Sequence, residues 1–418
     1  MKSPVWHPFT QHGLNEPITR VTRAEGAVLV TADGRRIIDA ISSWWVTTHG
    51  HCHPRIMAAI AEQAARLDQI IFAGWTHEPA EALARGLVDM MPAPLAHVFF
   101  SDSGSTSVEV ALKMALGFWR NTARPRSRIT VMAQSYHGDT IGAMSVGARG
   151  VFNRAYAPLL FDVDTLPFPD AGAELRTLEA FTALCRAPAP PAALIVEPLV
   201  LGAGGMRIYT PQLLAELRAI ASAHDVLFIA DEVMTGWGRT GTLLACEQAG
   251  VVPDILCLSK GLTGGAMPLA VTLATPAIFD AHSSADREQM FFHSSSYTAN
   301  PLACAAANAN LAIWREEPVL ARVAALAWRQ AAWLRAISTL SGVTNARQIG
   351  TITAFELGSG ASNYLADIGP RLLAFFQERN VLLRPLGNTI YVMPPYCIAD
   401  EELRQVYGVI EEAIHHYS

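Results

Sequence analysis

Short apolar runs alternate with longer stretches of helical periodicity through the middle of the chain. The strand candidates are HVFFS, RITVM, AALIV, VLFIA and ILCLS, in that order. Between them, segments such as SVEVALKMALGFWRN place apolar residues at the spacing of one helix face. Strands that alternate with helices predict βαβ units, and therefore an α/β fold in which helices flank both faces of a mostly parallel sheet.

The two ends of the chain have a different pattern. The segment AVLVTADGRRIID predicts a hairpin, because an Asp-Gly pair lies between alternating apolar positions. After residue 305, two Ala/Leu-rich helical stretches precede GTITAFEL, VLLRPLGNTIYVMPP and a final helix. We therefore expect a large domain at residues 45–305 and a smaller α+β domain formed by residues 1–44 and 306–418.

Composition limits the partners that the protein can have. Its 418 residues are 51% hydrophobic and 16% charged, which is enough for a large core. The net charge of −6 and the lack of a Lys/Arg-rich run argue against a nucleic-acid partner. No stretch approaches the roughly 20 apolar residues of a membrane helix, and the N-terminus lacks a signal-peptide core. Six cysteines without a CxxC pair are typical of free thiols. These features predict a cytoplasmic protein that binds neither membranes nor nucleic acids.

The segment HGHCHP is the candidate for a metal site. Alternate residues of an extended strand share a face, so His49, His51 and His53 could converge beside Cys52. The sequence has no second cluster of ligands and no HExxH motif. We favour the alternative, a histidine-rich loop that enters a helix at His53-Pro54, and expect no metal.

Small polar residues follow the first of the central strands. After HVFFSD come Ser103, Gly104 and Ser105, immediately before a predicted helix. Free N–H groups at a helix N-terminus, together with side-chain hydroxyls, can bind a phosphate dianion. The alternative for these residues is an ordinary helix N-cap.

Three further strands end in residues that suit one ligand. Tyr136 and His137 follow RITVMAQ, where a tyrosine could stack on a flat ring and His137-Gly138 permit close approach. Asp231 follows VLFIA, and a buried carboxylate can hold a pyridine nitrogen protonated. Lys260 follows ILCLS, and an amine whose pKa burial lowers can form a Schiff base, although a solvent-facing lysine is the commoner case. Because open sheets bind ligands at the carboxyl ends of their strands, the set predicts a pyridoxal phosphate site.

Several of these segments resemble one enzyme family. IADEVMTGWGRTG and LSKGLTGG are similar to the signature of the class III aminotransferases, and DSGSTSVEVALKMA, SYHGDTIGAMS and NPLACAAA extend the resemblance. It implies the type I fold of pyridoxal phosphate-dependent transferases. It also implies that Lys260 forms the Schiff base, Asp231 pairs with the pyridine nitrogen and Tyr136 covers the ring, while Gly104 and Ser105 bind the phosphate.

The resemblance also implies an obligate homodimer. In this family a Ser or Thr of the neighbouring subunit closes the phosphate site. The matching residue in HSSSYTANP is Ser296, where many members have Thr. A glycine at position 295, next to it, is a further candidate for substrate binding, and no role is assigned to it.

Three features resemble the members of the family that act in biotin biosynthesis. They are the opening WHPFTQH, the pair Trp44-Trp45, and Arg384 in RPLGNTIYVMPPY. The keto substrate of those members has a long aliphatic chain with a distal carboxylate. Two indoles, with Tyr136, can wall an apolar tunnel, and an arginine can bind the carboxylate. Core packing and a structural ion pair are the alternatives. Phe9 stands where some members carry Tyr.

The amino donor and some supporting residues stay open. The resemblance implies S-adenosylmethionine as the usual donor and lysine in some members, and HSSSYTANP departs from the pattern expected of the former. Glu197 and Arg239 could support the site or recognise substrate, with buried structural charges as the alternative, and Asp139 could contact substrate. An ω-amino acid or diamine aminotransferase would keep the same cofactor residues.

Overall fold

A computed structural model describes residues 3–358 and 366–417. Residues 1–2, 359–365 and 418, which belong to the predicted smaller domain, lie outside the described residues.

The elements follow one another along the chain as the sequence pattern indicates, with several short strands in addition. The strands are β1 (Val21–Glu25), β2 (Val28–Thr31), β3 (Arg36–Asp39), β4 (His97–Ser101), β5 (Ile129–Met132), β6 (Asp164–Leu166), β7 (Ala193–Val196), β8 (Val200–Leu201), β9 (Arg207–Ile208), β10 (Leu227–Asp231), β11 (Ile255–Leu258), β12 (Ala270–Ala274), β13 (Val343–Ile349), β14 (Ile352–Leu357), β15 (Val381–Leu382) and β16 (Thr389–Val392).

The helices cover both halves of the chain. They are α1 (Pro54–Ala64), α2 (Glu78–Met90), α3 (Gly104–Asn121), α4 (Ile141–Ser145), α5 (Glu174–Cys185), α6 (Pro211–Ala223), α7 (Pro276–His282), α8 (Pro301–Glu316), α9 (Val319–Ile337), α10 (Ile368–Glu378) and α11 (Asp400–Tyr417). Short 3-10 helices lie at His12–Leu14, Arg154–Leu159, Ala245–Ala249, Lys260–Thr263 and Arg287–Gln289. Within residues 3–358 and 366–417, no helix is both long and apolar enough to cross a membrane.

A seven-stranded sheet forms the centre of the molecule, in the order β4-β12-β11-β10-β7-β5-β6. Only β12 runs against its neighbours in this sheet, antiparallel to both β11 and β4. A parallel pair needs a crossover of about a dozen or more residues, usually a helix, whereas only a short 3-10 helix lies between β11 and β12. The mostly parallel α/β sheet is therefore confirmed, and β12 is an addition to the strands predicted from the sequence.

Successive side chains of the central strands face opposite sides of this sheet. Phe228 and Leu256 belong to a buried cluster that includes residues of α2, α5 and α6. Ile229 and Ile255 belong to a second cluster, with residues of α3 and α7. Helices thus cover both faces, which explains why these strands are continuous apolar runs rather than alternating ones.

The two ends of the chain form smaller sheets. Strands β2 and β3 make the predicted hairpin around Asp33-Gly34, and β15 joins β3 in parallel. Strands β13, β14 and β16 form an antiparallel sheet. One buried cluster joins N-terminal and C-terminal residues, among them Ile38, Phe355 and Phe376. The N-terminal hairpin is therefore joined to the C-terminal part, while the division into two domains at residues 45 and 305 stays a prediction.

The direction of the strands places the candidate residues together. Strands β4, β5, β10 and β11 run the same way in the large sheet. The segments that follow them begin at residues 102, 133, 232 and 259, and therefore lie along one edge.

Two leucines test how much the large sheet depends on its core. Leu256 is fully buried in β11, so Leu256→Ala should lower the free energy of unfolding by about 2–5 kcal/mol. Leu175 is 66% exposed, and Leu175→Ala should change it by less than about 0.5 kcal/mol. The midpoints of denaturant-induced unfolding measure the difference. Equal losses in the two variants would contradict the assignment of this core.

Candidate active site

A cavity of about 210 Å³ lies at the carboxyl edge of the large sheet. It brings together residues that the sequence analysis selected from four different strand ends and from the tryptophan pair. Those that line it are Trp45, Gly104, Ser105, Tyr136, His137, Asp231 and Lys260.

Asp231 ends β10 as a buried carboxylate with two partners. Its Oδ2 accepts a hydrogen bond of 2.7 Å from Nδ1 of His137, and its Oδ1 accepts one of 3.1 Å from the backbone N–H of Val233. Burial acts to lower the pKa of His137, but the hydrogen bond and charge of Asp231, with the charge of Glu197, outweigh it and raise the pKa. His137 Nε2 is buried without a partner among the described residues. The imidazole therefore holds the carboxylate in place and supports its negative charge.

Lys260 begins the short 3-10 helix that follows β11, with a φ of 45°. Burial lowers the pKa of its amine, against the charges of Asp231 and Glu197, which act to raise it. The amine lies 5.3 Å from the centroid of the Trp45 ring. An amine with a lowered pKa that lines a cavity can act as a nucleophile and a base.

Ser103 and Ser105 have different roles at the N-terminus of α3. Ser103 is the N-cap: its hydroxyl accepts a hydrogen bond of 3.2 Å from the backbone N–H of Thr106. Ser103 does not line the cavity, whereas Gly104 and Ser105 do. The first N–H groups of a helix have no partner within it, so those of Gly104 and Ser105 can bind an anion.

Two glycines keep this end of the cavity open. A Cβ on Gly138, whose φ is 131°, would lie 2.1 Å from Ser105 Oγ. A Cβ on Gly104 would lie 2.6 Å from Cγ1 of Val233. The space beside the helix terminus therefore depends on the absence of side chains at both positions.

Glu197 supports the wall of the cavity that Tyr136 forms. Its two carboxylate oxygens accept hydrogen bonds of 2.9 Å from the backbone N–H groups of Tyr136 and Gly202. Burial raises the pKa of Glu197 to about 7, although the charge of His137 acts to lower it. Burial, followed by the charge of Asp139, also raises the pKa of Tyr136, so its hydroxyl stays protonated. Tyr136 is therefore neutral, and Glu197 carries less negative charge near neutral pH than an ordinary carboxylate.

A second cavity of about 820 Å³ adjoins the first and shares Tyr136 and Gly138 with it. Asp139 and Phe152 are among the residues that line it. It offers room for a substrate much longer than the reacting group.

Arg384 and Trp44 lie outside the smaller cavity and contact the N-terminal segment. Arg384 Nη2 donates a hydrogen bond of 3.0 Å to the backbone oxygen of Phe9, and its guanidinium lies 5.3 Å from the centroid of the Trp44 ring. Phe9 also contacts Trp44 and Phe152, edge to face. The N-terminal segment thus links Trp44 and Arg384 to the larger cavity.

Two predicted residues lie elsewhere in this chain. Ser296 is exposed, and its backbone oxygen accepts a hydrogen bond of 2.7 Å from Gln69. Arg239 is buried and donates to the backbone oxygens of Trp45, Thr47 and Pro394. Its hydrogen bonds therefore hold the backbone around the tryptophan pair.

The glycine expected at position 295 was wrong, because the residue there is Ser295. Its hydroxyl donates a hydrogen bond to the carboxylate of Asp102, and its backbone N–H donates one of 2.9 Å to Thr298 Oγ1. Ser295 is not among the residues that line either cavity. The bond to Asp102 ties this segment to the loop after β4, and position 295 is therefore removed from the candidates for substrate binding.

Two of the three histidines of HGHCHP have separate hydrogen-bond partners. His49 bonds Asn310 at 2.9 Å, and His51 bonds Asp39 at 2.8 Å. His53 occupies the N-cap position of α1 without a side-chain hydrogen bond to the helix, which begins at Pro54 as predicted. Across residues 3–358 and 366–417, no group of three or more His, Cys, Asp or Glu side chains could hold a metal ion.

Three residues that shape the site were not predicted from the sequence. Val233 and Met234 line the cavity, and their only signal is that they directly follow Asp231-Glu232. Asp39 lies in β3, outside the cavity, and binds the turn that carries the tryptophans. Nothing local in the sequence distinguishes it from other strand-end carboxylates.

The residues of the smaller cavity fit pyridoxal phosphate. Asp231 can pair with a ring nitrogen, Lys260 with an aldehyde, and the open end beside Gly104 and Ser105 with a phosphate. Tyr136 and Val233 provide two further walls for a flat ring.

Comparison with known proteins identifies relatives over the whole length of the chain. The profile of the Aminotransferase class-III family matches residues 9–414. The adenosylmethionine-8-amino-7-oxononanoate aminotransferase of Synechococcus elongatus is 48% identical over 417 residues, which are 98% of each chain. The enzyme of that name from Geobacter sulfurreducens is 37% identical, over 98% of this chain and 95% of its own.

Solved structures of related proteins have the same fold as this chain. The adenosylmethionine-8-amino-7-oxononanoate aminotransferase of Methanocaldococcus jannaschii superposes with a TM-score of 0.94 at 32% identity, over 99% of this chain and 97% of the other. An amine transaminase from an uncultivated Pseudomonas species also has a TM-score of 0.94, at 31% identity, over the whole of both chains.

Glu197 should make the cofactor-free protein less stable as pH rises. Because its folded pKa of about 7 exceeds the ordinary value of 4.5, its stabilising contribution is complete below pH 4.5 and is lost as pH rises to about 7. The loss is about 3 kcal/mol. Glu197→Gln should be less stable at low pH, because an amide N–H then faces a backbone donor. Its stability should nevertheless vary less with pH than that of the unaltered protein.

Denaturant unfolding between pH 4.5 and 8 measures this slope. Glu179→Gln provides a control for an exposed carboxylate away from the cavity. An unchanged slope in Glu197→Gln, with His137, Asp231 and Lys260 intact, would contradict the assignment of the titration to Glu197.

Proposed function

Because the chain belongs to the class III aminotransferases and is a pyridoxal phosphate-dependent transaminase, we propose that it converts 8-amino-7-oxononanoate to 7,8-diaminononanoate in biotin biosynthesis. Relatives at up to 48% identity carry the name of that activity. The observation that carries the proposal is the junction of two cavities: one holds Lys260 and Asp231, and the larger one begins at Tyr136.

The site residues divide the work between binding and proton transfer. Pyridoxal phosphate, when bound, supplies the aldehyde that carries the amino group and the ring that accepts electrons. Asp231, held by His137, would pair with the ring nitrogen. Lys260 Nζ, whose pKa burial lowers, takes the proton from the reacting carbon of the donor and later returns one to the acceptor. Gly104 and Ser105 bind the phosphate through the N-terminus of α3.

The keto substrate extends from this site along the tryptophan pair. Trp45 and Tyr136 lie beside the reacting end, and Trp44 lies farther out, next to Arg384. An apolar chain suits the indoles, and the guanidinium can bind a distal carboxylate with two parallel hydrogen bonds. The contact between Arg384 and Phe9 leaves other N–H donors of the guanidinium free for that carboxylate.

S-adenosylmethionine is the donor that we propose, because the name of the relatives includes it. The cavity of about 820 Å³ has room for its adenosine group. Lysine is the alternative donor.

We also propose that two copies of the chain form a homodimer in the cytoplasm. Ile71, Trp75, Phe292 and Tyr297 are each more than 60% exposed, in two segments that Gln69 joins through its bond to Ser296. Apolar surface of this kind is commonly covered by a partner, which would bring Ser296 to the neighbouring phosphate site. All six cysteines are free thiols, as is usual in a reducing compartment.

The two half-reactions can be tested separately by absorbance. The yellow band of the purified protein should fade on addition of S-adenosylmethionine alone and return on addition of 8-amino-7-oxononanoate, because the amino group leaves and re-enters through the cofactor. Lysine in place of S-adenosylmethionine should leave the band unchanged. Lys260→Ala provides the matched control, since it lacks the amine that moves the proton.

Each other outcome has a defined meaning. If the yellow band fades with lysine only, lysine is the amino donor, and the proposed acceptor is unchanged. Fading only with simple ω-amino acids or diamines, without recovery by 8-amino-7-oxononanoate, would exclude the proposed substrate while retaining the family.

The position of Ser296 in a homodimer can be tested by complementation. Ser296→Ala should weaken binding of the cofactor about tenfold, because one hydrogen bond to a dianion is lost. In a mixed dimer of Ser296→Ala and Lys260→Ala chains, one of the two sites has both residues intact. We therefore expect the mixture to recover tight cofactor binding and activity in that site.

Equilibrium dialysis and turnover of reassembled mixtures measure this recovery. Ser294→Ala, in the same exposed segment, is the control. A mixture that stays as weak as Ser296→Ala alone would place the serine in its own subunit's site, or in neither.

A further inference from the structure

We propose that Asp39 and His51 are positioning residues that hold the tryptophan pair in a strained turn and thereby set the affinity for the amino acceptor. The inference rests on the proposed function only in the identity of that acceptor. Neither residue lines either cavity.

The turn at Ser42–Trp45 has an unusual backbone. Its four residues have φ values of 53°, 44°, 74° and 73°, in chain order. Residues other than glycine adopt this left-handed region singly rather than in succession, because the Cβ atom approaches the following carbonyl oxygen. Two of these residues carry indoles. Such a segment persists only where its surroundings hold it in place.

Asp39 provides the main hydrogen bonds that hold this turn. Its Oδ1 accepts from the backbone N–H groups of Ile41 and Ser43, at 3.2 and 2.9 Å. Its Oδ2 accepts from Ser43 Oγ at 2.7 Å and from His51 Nε2 at 2.8 Å. The carboxylate is fully buried, so these four hydrogen bonds replace those that it would make with water in the unfolded chain.

His51 ties the carboxylate to a second part of the chain. Its backbone N–H donates to the Gly26 oxygen at 2.7 Å, and the Gly26 N–H donates back at 3.3 Å. The imidazole therefore bonds Asp39 from a fixed backbone. The positive charge of Arg239, which also binds the oxygens of Trp45 and Thr47, lies near enough to interact with Asp39.

The far side of the turn is held by the C-terminal sheet. Ser42 Oγ donates to the Met393 oxygen at 2.8 Å, and Trp45 Nε1 donates to the Tyr391 hydroxyl at 3.0 Å. These bonds hold Ser42 and the indole N–H of Trp45. Ser43, in the middle of the turn, bonds Asp39 through its backbone N–H and its hydroxyl, and that hydroxyl also lies 3.5 Å from His51 Nε2. The conformation of Ser43, and with it the placement of the two indoles that follow, therefore depends on Asp39 and His51.

Asp39 therefore controls the position of Trp44. Trp44 is 40% exposed and lies between Phe9 and Arg384. Relaxation of Ser43 towards negative φ would move the following indole away from Arg384. The wall for an aliphatic chain and the arginine for its carboxylate would then no longer be aligned, whereas Lys260 and Asp231, on other elements, would stay in place.

Asp39→Asn tests this role with the holoenzyme. The amide nitrogen cannot accept from Ser43 Oγ or His51 Nε2, so we expect the KM for 8-amino-7-oxononanoate to rise about tenfold. The kcat and the dissociation constant of the cofactor should change less than about twofold. Asp33→Asn, in an exposed turn of the same small sheet, is the control and should change none of these values.

A second substitution separates positioning from general stability. Glycine adopts positive φ without strain, so Ser43→Gly in the Asp39→Asn protein should restore most of the KM. Visible circular dichroism of the bound cofactor should change in Asp39→Asn and return in the double variant, because Trp45 lies beside Lys260. Should Asp39→Asn fail to fold, Ser43→Ala removes the hydroxyl bond alone and should raise the KM about threefold.

Two results would overturn the inference. One is an Asp39→Asn protein with an unchanged KM and an unchanged dichroism spectrum. The other is a parallel loss of kcat, KM and melting temperature that Ser43→Gly does not relieve, since that pattern indicates a purely structural carboxylate. If the unaltered protein does not use 8-amino-7-oxononanoate, the proposed function fails, and the dichroism spectra, which need no substrate, still decide the role of Asp39.

Discussion

The buried carboxylate of Asp231 is the interaction on which the site depends. A charge at the end of a fully buried strand is costly without partners, and β10 lies at the centre of the large sheet. His137, in the segment that follows β5, supplies a hydrogen bond and a compensating charge. The direction of the parallel strands is what brings the two residues together. Lys260, delivered by β11, lines the same cavity as Asp231, and the cavity leaves space for a ligand beside both side chains.

The environment of Glu197, the second buried acid of the site, differs from that of Asp231. Glu197 accepts two backbone hydrogen bonds but lies close to Asp231, and burial raises its pKa to about 7. Carboxylates in one site with environments of different polarity can thus hold different charges at the same pH. The result is a carboxylate beside Tyr136 that carries less negative charge near neutral pH than an ordinary glutamate.

Much of this arrangement was predictable from the sequence because it depends on local patterns. Apolar runs followed by Asp231 and Lys260 indicated both the parallel sheet and the edge where the residues meet. A small polar segment before a helix indicated the anion site, although its first serine proved to be the N-cap and only Gly104 and Ser105 reach the cavity. Strand β12 was not predicted from the sequence. Its antiparallel direction follows from the short connection after β11, which the hydrophobic periodicity does not reveal.

Contacts between distant segments, which stabilise unfavourable local geometry, could not be predicted from the sequence. Propensity assigns Ser42–Trp45 no left-handed conformation, since four successive residues without glycine avoid it. The conformation exists because Asp39, His51 and the C-terminal sheet act on it together. Arg384 likewise gains its partner, the backbone of Phe9, across 375 positions of the chain. Local patterns therefore specify the residues of the smaller cavity, while the tertiary structure specifies where Trp44 and Arg384 lie relative to it.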